Sequence, residues 1–341
     1  MTCNTLPTNS EIDGFEGFIK QAADCDIDAA IVNDIGVFSL IKKYVPDLEL
    51  HVSTQAGIVN YCTANTFYNM GAKRVVLARE LSLDDIGEIR AKTPKDLDIE
   101  CFVHGAMCVS FSGRCLLSQY LINRDANRGE CAQPCRWKYY LMEEKRENEF
   151  YPIAEDENGA YILNAKDLCM IDHLDKLAEA GVTSFKIEGR AKSAYYVSVV
   201  TNAYRAAADI LKSNPTDYKL PEWVKEEVFK VSHRKYCTGF YFGHPKDCQY
   251  YETSGYVRDY DVVAVVDSYA DGKIFCTQRN RFFRGDELEI LSPMTEPVKM
   301  TADEIINEQG ESVESANKAT MKFSMPFEHE IKPGSIVRKQ L

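Results

Sequence analysis

The sequence lacks the long apolar runs that a membrane-spanning segment requires. No stretch of about 18 consecutive apolar residues occurs anywhere in the chain of 341 residues. The polar N-terminus also lacks the apolar stretch of a secretory signal. Twelve irregularly spaced cysteines without such a signal indicate a reducing cytoplasm, where clustered cysteines bind metal more often than they form disulfides.

Common hydrolase motifs are absent as well. The sequence contains neither H-E-x-x-H, which binds catalytic zinc, nor G-x-S-x-G, which presents a serine nucleophile. A peptidase would need another nucleophile, such as Cys108 or Cys115 beside His104. No residue that would orient His104 is evident, and four clustered thiols exceed the single one that a nucleophile requires. Peptidase chemistry is therefore the weaker interpretation of these residues.

Positive charge is scarce overall and concentrated in one segment. The net charge of −12 weighs against a generic nucleic-acid binder. Residues 101–140 are nevertheless net positive, because Asp125 and Glu130 are their only carboxylates. The basic residues of this segment are Arg114, Arg124, Arg128, Arg136 and Lys138. This segment also contains four clustered cysteines.

Short apolar runs alternate with helical patterns over the first 190 residues. Five runs predict buried strands, since each is rich in β-branched or aromatic residues and ends in polar residues or glycine. They are 28–34, 49–55, 74–80, 99–105 and 184–190. Segments 14–26 and 82–92 have apolar residues at helical spacing. This alternation predicts a parallel sheet, and its spacing is typical of a (β/α) barrel.

Residues 2–7 and 161–168 add two strands, about seven in all, where a closed barrel of this type needs eight. We therefore expect a TIM-type (β/α) barrel that is incomplete at its N-terminus, with a seven-stranded or open arrangement as the alternative. Residues 1–212 would form this partial barrel, with a cysteine-rich insertion at 106–160. Residues 213–251 read as a linker and helix. The short alternating strands of 252–341 predict a small all-β barrel domain.

Cys108, Cys115, Cys131 and Cys135 follow the spacing C-x6-C-x15-C-x3-C. This spacing matches neither the paired C-x2-C of a zinc ribbon nor the compact ferredoxin runs. Four thiolates can still enclose a tetrahedral metal ion or an iron–sulfur cluster, because sulfur prefers such soft centres. We predict a metal site here, after a strand end where barrels place their active sites. Cys169 is an alternative fourth ligand.

The segment 100–118, ECFVHGAMCVSFSGRCLLS, resembles the signature of peptidase family U32, the collagenase-like proteases. The matching positions are Glu100, Phe102, Gly105, Ala106, Met107, Cys108, Gly113, Cys115, Leu117 and Ser118. HVSTQA, RDANRGECAQPCRWKY and SFKIEGRAKSAYYV resemble further blocks of the family. The similarity is greatest to the branch that makes 5-hydroxyuridine at the wobble position of tRNA. The resemblance also implies a barrel that begins upstream of residue 1 and a C-terminal β-barrel.

The resemblance implies a tRNA-modifying enzyme that uses prephenate and an iron–sulfur cluster, expected to be 4Fe–4S. A dicarboxylate co-substrate needs cations or polar groups near the strand ends. The candidates are Arg79, Arg114, Lys166, Lys186, Arg190 and Gln55. His104, Glu80 and Glu188 are candidate acid–base groups. Each of these residues also has a purely structural interpretation. The charged side chains could form ion pairs at the barrel rim, and His104 could be a hydrogen-bonded histidine of the core.

The resemblance makes the anticodon loop of tRNA the expected macromolecular substrate. Phosphates would contact Arg124, Arg128, Arg136 and Lys138, and Trp137 could stack on an unpaired base. The segment 280–291, NRFFRGDELEIL, contains another basic patch that could hold an RNA arm. Beside the hydroxylase and the peptidase, a zinc-stabilised RNA-binding module without enzymatic activity is a third hypothesis.

Overall fold

The computed structural model describes residues 1–108, 110–111, 115–137, 140–141, 151–152, 165–243 and 256–341. The chain divides into two compact units, each made of two chain segments. The first comprises Met1–Glu188 and Lys235–Ser254, and the second Gly189–Arg234 and Gly255–Leu341. This division differs from the boundary predicted at residue 212, because the helical segment that begins near residue 194 groups with the second unit.

The first unit alternates strands and helices. Its strands are β1 Thr2–Cys3, β2 Ala29–Val32, β3 Glu49–Val52, β4 Arg74–Val76, β5 Asp98–Ala106, β6 Tyr140–Leu141, β7 Tyr151–Pro152, β8 Asp167–Cys169, β9 Ser184–Ile187 and β10 Tyr236–Cys237. Its helices are α1 Asn9–Ile12, α2 Phe15–Ala23, α3 Ile35–Tyr44, α4 Tyr61–Asn69, α5 Leu83–Ala91, α6 Leu117–Ile122 and α7 Leu174–Glu179. Short 3-10 turns occupy Thr54–Ala56, Ala126–Arg128, Pro134–Arg136 and Ile171–His173.

Side-chain caps fix where several of these helices begin. Asp34 accepts a hydrogen bond from the Val37 amide at 2.9 Å at the start of α3. Ser82 and Asp85 form a reciprocal capping box at the start of α5. Such caps satisfy amide groups that the first helical turn leaves without a partner. They fix the residues at which α3 and α5 begin.

The predicted parallel sheet is confirmed. Strands β1 to β5 pair in chain order, each parallel to the next, and β5 also pairs in parallel with β9. The strand β8 runs antiparallel to the end of β5, and β10 runs parallel to β8. The pairings between described residues form an open path from β1 to β10. The closed barrel and its missing N-terminal part therefore remain predictions.

The second unit joins two helices to an antiparallel β structure, which confirms the predicted C-terminal all-β fold. The helices are α8 Ala194–Ser213 and α9 Glu222–Glu227. The strands are β11 Tyr260–Ala270, β12 Lys273–Gln278, β13 Phe282–Phe283, β14 Glu287–Leu291, β15 Val298–Thr301, β16 Ile305–Asn307, β17 Ser312–Val313, β18 Ser315–Ala316, β19 Lys322–Pro326 and β20 Ile336–Gln340. No helix in the described part of the chain is long and apolar enough to cross a bilayer.

A buried ion network connects α9 with the β structure inside the second unit. The Arg338 guanidinium has no solvent exposure and donates to Glu227 Oε2 and Glu289 Oε2, each at 2.9 Å. Lys230 Nζ lies 3.0 Å from Glu289 and 3.2 Å from Glu227. Burial alone would lower the pKa of Arg338, but the bonds to Glu227 and Glu289 raise it above its ordinary value. The four side chains stabilise one another because each buried charge has an opposite partner.

Candidate functional site

The ends of three neighbouring strands place two cations on one aromatic ring. Phe102 lies on β5, and the guanidinium of Arg79, just after β4, stacks on its ring at 3.8 Å from Cζ to the centroid. The Nζ atom of Lys186, on β9, lies 5.8 Å from the same centroid. Arg79 Nη1 also donates to the Ala106 carbonyl at 2.9 Å. Two of the predicted substrate-binding cations, Arg79 and Lys186, therefore lie beside the same ring.

Glu100 holds the Lys186 side chain near the Phe102 ring. Its carboxylate is buried and lies 3.0 Å from Lys186 Nζ and 3.3 Å from Arg74 Nη1. The Ser184 hydroxyl also donates to it at 2.7 Å. Burial alone would raise the pKa of Glu100, but Lys186, Ser184 and Arg74 outweigh burial and lower it below the ordinary value. Glu100 therefore stays ionised as the fixed counter-charge of Lys186 and Arg74.

Gly105 allows the backbones of β5 and β9 to approach each other closely. Its φ is +115°, and a Cβ atom at this position would lie 2.4 Å from the Glu188 carbonyl oxygen. The Glu188 amide donates to the His104 carbonyl at 2.8 Å. Since only glycine accepts such a backbone conformation without strain, this residue type is required where the two candidate acid–base residues meet.

His104 is buried beside a tyrosine that the sequence did not single out. Its Nε2 lies 3.4 Å from the Tyr236 hydroxyl, and the two ring centroids are 5.2 Å apart. The register of β5 against β9 shifts between Phe102 and His104. Such bulges redirect a side chain and are common beside active sites. Cys169 is the pairing partner of His104 on β8, so the alternative cysteine ligand lies next to this histidine.

Tyr241 is a second residue that the sequence analysis missed. Its hydroxyl donates to the Phe102 carbonyl at 2.6 Å, and its own carbonyl accepts from the Leu83 amide at 2.9 Å. Burial raises the pKa of this phenol well above its ordinary value, so it remains a neutral donor. Tyr241 therefore supports the backbone of the residue that carries both cations.

Three of the four predicted cysteine ligands interact electrostatically, because Cys115 and Cys131 affect the pKa of Cys108. Although Cys108 is exposed at its surface, the surrounding protein desolvates its thiol and raises its pKa. The thiols of Cys115 and Cys131 add to this increase, whereas the positive charge of Arg79 opposes it. Arg79, a predicted substrate-binding cation, is thus electrostatically coupled to Cys108.

Backbone and hydroxyl donors point at two of the sulfur atoms. The Leu117 amide donates to Cys115 Sγ at 3.4 Å, and the Gln133 amide to Cys131 Sγ at 3.4 Å. The buried Ser118 hydroxyl lies 3.7 Å from Cys131 Sγ and accepts from the Ala132 amide at 3.0 Å. Such donors are the hydrogen-bond partners that commonly surround a metal-bound sulfur.

The four clustered thiols have the chemistry to bind a soft metal centre. Two of them, Cys115 and Cys131, accept hydrogen bonds from backbone amides. Among the described residues, no three histidine, cysteine, aspartate or glutamate side chains lie close enough together to hold one metal ion. Cys135 is half-buried in the turn Pro134–Arg136, a short distance along the chain from Cys131. Cys108, Cys115, Cys131 and Cys135 therefore remain the predicted set, with Cys169 as the alternative.

The other predicted site residues lie in different surroundings. Gln55 accepts from Asn4 Nδ2 at 2.8 Å, Lys166 is buried just before β8, and Glu80 is half-buried beside Arg79. Arg190 is exposed and belongs to the second unit. Arg114 lies outside the described residues, so its role in substrate binding stays a prediction.

The predicted RNA-binding residues are mostly at the surface. Arg124 is exposed, and Trp137 has 43% of its surface exposed. Arg128 forms ion pairs with Glu11 at 2.5 Å and Asp125 at 3.2 Å. Its charge is therefore already balanced, which weakens its assignment as a phosphate contact. Lys138 and the side chain of Arg136 lie outside what the structure describes.

Comparison with known proteins identifies the family. The pattern of peptidase family U32 matches residues 1–250, and that of the U32 C-terminal domain matches residues 258–338. The chain belongs to peptidase family U32. This U32 chain is 34% identical over 343 residues to a tRNA hydroxylation protein of Bacillus subtilis, across 99% of this chain and 80% of that protein.

Two further U32 relatives have different names. A protein named uncharacterized protease, from Methanocaldococcus jannaschii, is 45% identical over 242 residues, which are 70% of this chain and 58% of that protein. The 23S rRNA 5-hydroxycytidine synthase of Escherichia coli is 38% identical over 211 residues, 62% of this chain and 30% of that protein. In this U32 chain the resemblance first noted at 100–118 thus extends through both units.

Proposed function

We propose that this U32 chain is a tRNA-modifying enzyme that hydroxylates the wobble uridine of the anticodon loop to 5-hydroxyuridine. The observation that carries the proposal is the similarity over 99% of the chain to a protein named for tRNA hydroxylation. The relative named for rRNA hydroxycytidine synthesis supports the same reaction class, hydroxylation of a pyrimidine in RNA.

The cofactor of this proposal is an iron–sulfur cluster, expected to be 4Fe–4S, held by Cys108, Cys115, Cys131 and Cys135. Four thiols, with amide donors at two sulfur atoms, support this ligand set. When bound, such a cluster supplies one-electron redox chemistry. The chain's own contribution is to orient the thiolates and to hold the Arg79 charge beside Cys108.

Prephenate is the proposed co-substrate, and Arg79 with Lys186 would bind its two carboxylates. Stacking on Phe102 limits the movement of both side chains, and the Glu100 carboxylate holds Lys186. Pre-positioned cations bind an anion more strongly, because little side-chain freedom is lost on binding. His104, paired with Tyr236, and Glu188 would move protons at this site.

The proposal is tested by nucleoside mass spectrometry of total tRNA. A strain that lacks the gene and any paralogue should lose 5-hydroxyuridine and its derivatives, and the wild-type chain should restore them. Complementation with Cys115→Ala should fail, whereas Cys62→Ala, a change of an exposed thiol on α4, should succeed. Unchanged tRNA in the deletion strain would sink the hydroxylase assignment.

Metal analysis separates the alternatives. Anaerobically purified protein with broad absorbance near 400 nm and matching iron and sulfide supports the cluster, while colourless protein with one zinc ion supports the RNA-binding module. The relative named as a protease keeps peptide hydrolysis as a second candidate. That candidate predicts hydrolysis that survives iron removal and disappears in Cys108→Ala.

A further inference from the structure

The strand β13 in the second unit and the residue just before it expose a phenylalanine and an arginine side by side. Phe282 is fully buried in the core, whereas the next residue, Phe283, has 43% of its surface exposed. Arg281, the residue just before the strand, is exposed as well. The Arg281 guanidinium stacks on the Phe283 ring at 4.5 Å.

Three arginines lie within six residues of the chain at this face. Arg279, Arg281 and Arg284 are all exposed, and within the described part of the chain neither Arg279 nor Arg281 has a carboxylate partner. Arg284 donates to the Asp303 carbonyl at 2.6 Å and lies 3.9 Å from the exposed Glu314 carboxylate. Residues 256–341 as a whole contain more carboxylates than basic groups, so this cluster contrasts with its own domain.

Backbone hydrogen bonds hold the segment in one conformation. The Arg279 and Asn280 amides donate to the Val263 carbonyl at 2.8 and 3.2 Å, and the Arg284 amide donates to the Glu314 carbonyl at 2.9 Å. The Phe283 amide donates to Asp286 Oδ2 at 2.8 Å. A fixed backbone avoids the cost of ordering the loop on binding.

We propose that Arg279, Arg281, Phe283 and Arg284, here named the RFFR face, bind the RNA substrate. This inference rests on the proposed function and assigns part of the RNA affinity to the second unit. Arg279 and Arg281 would contact phosphates. An unpaired base would stack on the exposed ring of Phe283 or on the Arg281 plane.

The chemistry of the face favours RNA over an acidic protein. Any cluster of basic residues can bind phosphate groups. The exposed aromatic ring among these arginines also offers a surface on which a base can stack. The residues beside Phe283 in sequence are either charged or buried, and its partner across β18 is the polar Ser315. A protein interface would need a larger apolar centre.

The test measures binding of an unmodified tRNA transcript to the full-length protein by fluorescence anisotropy at several salt concentrations. Arg279→Ala with Arg281→Ala should weaken binding at least roughly five-fold near 0.15 M salt, and should reduce the slope of log K against log salt by about 1 to 2. Phe283→Ala should weaken binding roughly five-fold or more with little change in slope, and Phe283→Tyr should restore it.

A matched control keeps the comparison specific. Lys299→Ala with Lys332→Ala removes two exposed charges from the same unit and should leave affinity and salt slope within about two-fold of wild type. Because Phe283 and the arginines are exposed, all variants should keep the wild-type unfolding temperature, which separates binding from folding.

The outcomes distinguish this inference from the proposed function. If the wild-type protein neither binds nor modifies the transcript, the proposed function fails first. If wild type binds and the double arginine variant binds equally well, the RFFR face is not an RNA contact. If the variants lose only the capture of an acidic protein while tRNA binding is unchanged, the partner is a protein and the inference is overturned.

Discussion

Replacement of Gly105 by alanine should destabilise the first unit strongly, and its cost follows from the distances around it. The added Cβ would lie 2.4 Å from the Glu188 carbonyl oxygen and 2.8 Å from the Glu188 Cβ. A relaxed contact needs roughly 3.4 Å or more, so the end of β9 would have to move by about 1 Å. The obstructing atoms belong largely to the backbone, and they cannot rotate away as a flexible side chain would.

Three effects contribute to the cost. The φ of +115° is strained for alanine by about 1–3 kcal/mol. Movement of β9 weakens the bond from the Glu188 amide to the His104 carbonyl, and a buried backbone group without its partner costs about 1–3 kcal/mol. Loss of packing follows from the same movement. The sum is about 3–6 kcal/mol, which corresponds to a decrease in Tm of roughly 6–24 °C for a unit of this size.

Scanning calorimetry of the full-length protein measures this change. The matched control is Gly87→Ala, in the middle of α5, where no atom lies within 4 Å of the added Cβ. Alanine in a helix interior is favoured over glycine by about 0.5–1 kcal/mol, so Gly87→Ala should raise Tm slightly. A Tm for Gly105→Ala within about 2 °C of wild type would refute the reasoning.

Three further predictions follow from described contacts. Glu100→Gln should lower the unfolding free energy by about 1–3 kcal/mol at neutral pH, as measured by urea unfolding. The pKa of Glu100 in the folded protein lies below its ordinary value of 4.5. The difference in unfolding free energy between wild type and variant should therefore be greatest above pH 4.5 and shrink as the pH falls through the folded pKa. A difference that stays constant at all pH values would contradict this. Arg338→Met leaves the fully buried Glu227 without its main partner and should cost about 3–5 kcal/mol, whereas the exposed Lys332→Met should cost less than 0.5 kcal/mol. Cys131→Ala should lower bound iron measured in anaerobic protein, and equal iron in that variant and the wild type would remove Cys131 from the ligand set.

The strands were predictable because buried parallel strands leave a local signal. The apolar run 99–105 became β5 Asp98–Ala106, and the run 184–190 became the shorter β9 Ser184–Ile187. Residues 161–164 of another predicted strand lie outside the described residues, while its end coincides with β8. The antiparallel direction of β8 had no such signal, since apolar content does not encode strand direction.

The sequence indicates candidate site residues that lie at the ends of predicted strands. It does not indicate residues that reach the site from a segment far away in the chain. Arg79, Lys186 and His104 follow or end buried strands, and the sequence places them at one edge. Tyr236 and Tyr241 contact β5 across more than 130 residues of chain, and nothing in their local sequence marks them. Glu100 stood in the family signature, but its part in holding Lys186 depends on strand register, which the sequence does not specify.

The network around Arg338 has a consequence for how the second unit is made. Arg338 and Glu227 are separated by 111 residues, so α9 emerges from the ribosome long before the side chain that neutralises its buried carboxylate. Until residue 338 is available, burial of Glu227 would leave a charge with only Lys230 beside it, which is unfavourable. We therefore expect stable packing of α9 against the β structure to be a late step in folding, since it requires the closure of this long loop. A chain released early should therefore carry an unfolded second unit, which would make it a substrate for proteolysis.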